Sequence, residues 1–82
     1  MKELIHATSR KNAHIIAHNL RSSMAKGIPQ HLSYCQEELN INNLPLISRV
    51  LGVKYFGPGG APGSIEYLGR LSRWAVEVEI VN

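Results

Sequence analysis

Two histidine-containing pairs have the spacing of metal ligands. His14 and His18 lie four residues apart, His31 and Cys35 lie four apart, and twelve residues separate the pairs. On helices, each pair would share a face, and imidazole nitrogens with a thiolate form a donor set that zinc accepts tetrahedrally. The paired-cysteine spacing of zinc modules is absent, however, and a basic helix face accounts for His14 and His18 without a metal. Cys35 with His31 also has the types of a nucleophile and its base. A lone cysteine in a small domain is more often a buried apolar residue. The chain contains no aspartate, and its carboxylates are Glu3, the adjacent Glu37 and Glu38, Glu66, Glu77 and Glu79. A carboxylate pair in a pocket is hard to build from these. Gly57–Ser64 (GPGGAPGS) lacks the Lys and Ser/Thr of a phosphate loop, and Pro62 occupies the third glycine's place in GxGxxG. It reads as a connector. The expectation is a non-catalytic chain with no cofactor and no metal.

Charge is the stronger signal. Residues 1–36 hold Lys2, Arg10, Lys11, Arg21 and Lys26, all four histidines, and a single acid, Glu3. Residues 37–82 set Arg49, Lys54, Arg70 and Arg73 against five glutamates, so the formal net +3 is the sum of +4 and −1. A basic front half calls for an anionic partner. At helical spacing Ala13, Ile16, Ala17, Leu20 and Met24 form one apolar stripe, with Arg10, His14, His18, Arg21 and Lys11 on the opposite side and Lys26 near the end. Ile15 falls on the polar side without explanation. Arg10 and Lys11 occupy the first turn, where cations oppose the helix dipole at a cost of about 0.3–1 kcal/mol each. Such cations contribute nothing to the fold. Together with the Thr8 and Ser9 hydroxyls, this TSRKN segment has the make-up of a phosphate or carboxylate site.

The elements that must position these residues follow from pattern and capping. Eighty-two residues make one domain, 1–82, because so short a chain buries only about 60–65% of its unfolded surface. A single cysteine permits no internal disulfide, and no apolar run approaches the roughly 20 residues that span a bilayer. A cytoplasmic protein with no membrane contact is expected. Ser9 as cap, periodicity over Arg10–Lys26, Gly27 after it and then Pro29 predict a helix. Lys2–Thr8 alternates weakly, and Trp74–Val81 alternates cleanly, with Trp74, Val76, Val78 and Ile80 on one side. Its Glu77 and Glu79 face outward, as an edge strand requires. Gln30–Asn40 fits strand or helix equally. Leu44–Phe56 is rich in β-branched and aromatic residues and reads as a strand, although Asn43, Pro45 and Gly52 would also bracket a short helix. Ser64–Ser72 reads as a second short helix.

Gln36–Val53 (QEELNINNLPLISRVLGV) resembles a helix-turn-helix, with Leu44–Leu51 as its second helix, but Asn40 replaces the usual small residue and the turn glycine is missing. Alternatively Arg49, Lys54, Tyr55 and Phe56 on a sheet would clamp single-stranded bases. The preferred architecture is α+β: a long amphipathic helix packed on an antiparallel sheet, in the β-α-β-β-α-β order of ferredoxin-like folds. The rival is a winged-helix-type domain in which 31–39 and 44–51 are helical. The expected function is that of a small regulatory or inhibitory module presenting Arg10, Lys11, His14, His18, Arg21 and Lys26 to an acidic protein surface. Nucleic-acid binding through the same helix is the alternative.

Overall fold

A computed structural model describes residues 1–32, 45–59 and 73–81. Strand β1 (Lys2–Ala7) leads into helix α1 (Arg10–Ala25), followed by strand β2 (Leu46–Tyr55), a 3-10 turn at Gly57–Gly59 and strand β3 (Trp74–Val81). One helix packed on a three-stranded antiparallel sheet makes this an α+β arrangement.

Local chemistry starts and stops α1 where the sequence places the signals. The Ser9 side chain accepts the Asn12 backbone N–H at 3.1 Å, filling one of the orphan donors of the first turn. At the other end Lys26 is the cap and Gly27 adopts φ 78°. The Gly27 N–H donates to the Met24 carbonyl and the Ile28 N–H to the Ser23 carbonyl, both at 3.0 Å, which is a Schellman closure. A Cβ at Gly27 would meet nothing within 4 Å. Gly27→Ala should therefore cost only the left-handed backbone penalty, about 1–2 kcal/mol, read as a lower urea midpoint; an unchanged midpoint would mean that this closure does not hold the helix end.

The strand order is β1-β3-β2, all neighbours antiparallel. The C-terminal strand is thus central, which corrects the edge-strand expectation. Its outward glutamates do not guard an edge; each faces a β2 cation across the sheet, Glu79 with Arg49 at 3.3 Å and Glu77 with Lys54 at 3.2 Å. Of the two outer strands, β1 and β2, it is β1 where an inward-facing charge, Glu3 in the row of Val78, breaks the apolar face. Residues 46–51 lie in β2, so the second helix of the helix-turn-helix and winged-helix readings is a strand. Beyond β2, His31 bridges Leu46 in antiparallel sense, with Leu32 N–H donating to the Pro45 carbonyl and Ile47 N–H to that of Gln30, both at 2.8 Å. This bridge joins the Gln30–Asn40 segment, which fits strand or helix by pattern, to the strand expected over Leu44–Phe56. The segments 33–44 and 60–72, on which the rest of Gln30–Asn40 and the expected second helix Ser64–Ser72 fall, lie outside the described residues.

Two register shifts shape β2, one between Ile47 and Arg49 and one between Val50 and Gly52. Each inserts one residue, Ser48 and then Leu51, so Ile47, Val50 and Val53 reach the same face at intervals of three instead of two. Gly52 sits at the second bulge with φ 151°. Opposite this face, Ala13 and Ala17 are the fully buried residues of α1, and with Ala7, Leu32, Ile47, Val76, Val78 and Ile80 they form the core. Alanines at the contact let the helix backbone approach the sheet closely. Ile16, Leu20 and Met24 pack around its margin, as the apolar stripe predicts.

Candidate functional site

The six basic residues singled out in the sequence all lie on α1 or its cap, and all are exposed. Among the described residues the only ion pairs are Arg49–Glu79 and Lys54–Glu77. Each of those exposed pairs is worth about 0.2–1 kcal/mol, but geometrically they neutralise the sheet. No carboxylate of the described residues lies within 4 Å of a cation on α1. The charge asymmetry along the chain therefore becomes an asymmetry in space: paired charges between β2 and β3 on one side and a basic helix without carboxylate partners among the described residues on the other.

Those six residues do not form one cluster. The helix runs for 16 residues, about 24 Å at 1.5 Å per residue, with Arg10 and Lys11 at one end and Lys26 at the other. His14, His18 and Arg21 lie between. Arg10 departs from its expected place opposite the apolar stripe: its guanidinium carbon lies 5.9 Å from the centroid of the Trp74 ring. The residue borders the core and gains a cation–π contact of about 0.5–1 kcal/mol, which offsets its unfavourable position at the positive end of the dipole. Arg10 thus contributes to the fold, contrary to the sequence argument. Lys11 has no such contact and remains an exposed cation in the first turn. Ile15 is 45% exposed, a side chain of substantial apolar area set among polar neighbours.

In the TSRKN segment helix initiation engages donors that an anion would need: the Asn12 backbone N–H donates to Ser9 Oγ and the Asn12 side-chain amide to Thr8 Oγ1. The metal spacing fares no better among the described residues, where no group of three His, Cys or Glu side chains stands close enough to hold an ion. His14 and His18 are exposed on α1, His31 lies at the β2 edge, and Cys35 lies outside the described residues. The single-strand clamp is also taken apart. Arg49 and Lys54 are committed to Glu79 and Glu77, while Tyr55 pairs in register with Trp74, in the row that faces the helix.

That row holds the feature that residue patterns did not reveal. Ala7, Trp74 and Tyr55 lie side by side at the end of the sheet where α1 begins. The Tyr55 and Trp74 rings are 4.6 Å apart at centroid with planes tilted by 42°, a favourable aromatic geometry. Trp74 is half-buried beneath Arg10, yet Tyr55 is 54% exposed. The signals were present as an inward Trp74 at the start of β3 and a Tyr55 at the end of β2. Only the register joins them.

No helix among the described residues is long and apolar enough to cross a membrane. No protein-family model, curated protein or solved structure matches the chain.

Proposed function

We propose that this chain is a non-catalytic binding module, a small regulator or inhibitor, that presents the basic face of α1 to an acidic surface of a protein partner. The observation that carries this reading is the distribution of neutralised charge. Arg49 and Lys54 of β2 are paired with Glu79 and Glu77 of β3, whereas Arg10, Lys11, His14, His18, Arg21 and Lys26 stand exposed with no carboxylate partner among the described residues. Complementary charge across an interface steers encounter and sets orientation. A protein surface is favoured over nucleic acid because the recognition helix is a strand and the sheet cations are already paired.

The test is the triple variant Arg10→Glu, Lys11→Glu, Arg21→Glu. The tagged wild-type chain should retain an acidic partner at about 50 mM salt and release it near 200 mM, and the variant should retain none while keeping its circular dichroism spectrum. Equal capture by the folded variant would defeat the reading. So would submicromolar binding of single-stranded or duplex oligonucleotides that falls steeply over the same salt range, because that slope belongs to phosphate neutralisation.

A further inference from the structure

We propose that Tyr55, seated on Trp74 beneath Arg10, is the anchor of this interface, and that the partner offers an acidic segment with an aromatic or large aliphatic side chain next to its carboxylates. The inference rests on the basic-face reading and adds the chemistry of the partner. Tyr, Trp and Arg are the side chains that most often dominate binding energy, because they combine large contact area with a polar or charged handle. Here all three meet at one corner, with ring centroids 4.6 Å apart and the guanidinium carbon 5.9 Å from the indole. Their mutual packing holds the rings and the guanidinium in place before any partner arrives, which reduces the ordering cost on association. Lys11 in the first turn of α1 and Arg73 just before β3 are exposed and flank this corner in sequence. A carboxylate is thus matched to the Arg10 fork, and an apolar side chain to the exposed Tyr55 ring.

Trp74 is the only tryptophan of the chain, so its emission reports this corner directly. Two peptides of alternating Glu and Gly, one with a single central Phe, would be titrated into the full chain at low salt. The Phe peptide should bind about tenfold tighter and shift Trp74 emission, while the Phe-free peptide binds without that shift. Tyr55→Ala should abolish the preference between the two peptides, whereas Arg21→Glu should weaken both alike and keep the preference. Equal affinity of the wild-type chain for the two peptides overturns the anchor and leaves the basic face standing, and this result needs no variant to fold. A preference that survives in Tyr55→Ala overturns it equally. Failure of both peptides to bind overturns the anchor and the basic-face reading together, and quenching of Trp74 by oligothymidylate would then assign the corner to a stacked base.

Discussion

Val78→Asp abolishes the folded state or leaves it barely populated, and this is the largest stability effect expected of any single change in the described core. Val78 has no exposed surface and occupies the central strand, in register with Glu3 on one side and Val50 on the other. A carboxylate here has no donor to receive it and stands beside the carboxylate-bearing Glu3. Its burial costs several kcal/mol, whereas a chain of this length has a total stability of about 4–12 kcal/mol. The variant should show no cooperative urea transition in Trp74 emission, or one shifted to a far lower midpoint. Val78→Ala should keep the transition and lose only the transfer and cavity contribution. A Val78→Asp midpoint near that of wild type would mean that β3 is not the centre of the sheet.

The second large effect concerns the seat of the helix. Replacing Ala13 and Ala17 together by Leu leaves helix propensity nearly unchanged, yet both positions are essentially inaccessible against the sheet. Each substitution forces additional carbons into a filled contact, at about 1–3 kcal/mol apiece. The double variant should retain helical circular dichroism at low temperature and melt well below wild type. Ile15→Leu, at an exposed position of the same helix, should melt with wild type. If the double variant is as stable as wild type, α1 does not rest on its alanine stripe, and the basic residues do not face where the geometry sets them.

The contrast between α1 and β2 shows what kind of information each carries. Capping chemistry is local: Ser9, Gly27 and the periodic alanines act within a few residues of one another, so the helix and its ends were readable directly. In β2 the inward residues Ile47, Val50 and Val53 are three apart, because two bulges each consume a residue. Spacing of three is also what one side of a helix gives, so the same segment supported a strand and a recognition helix. The choice between them is made by β3, whose hydrogen-bonding edge the segment pairs with.

By itself, then, the order of residues determined the helix, its ends, its apolar and basic residues and the alternation of Trp74–Val81, since these depend on neighbours in the chain. Tertiary structure decided that β3 is central, that Glu77 and Glu79 neutralise Lys54 and Arg49, and that Arg10 leans on Trp74 beside Tyr55. These outcomes depend on which strand lies beside which. Pairing register joins residues about 20 to more than 60 positions apart, and no local periodicity encodes that choice.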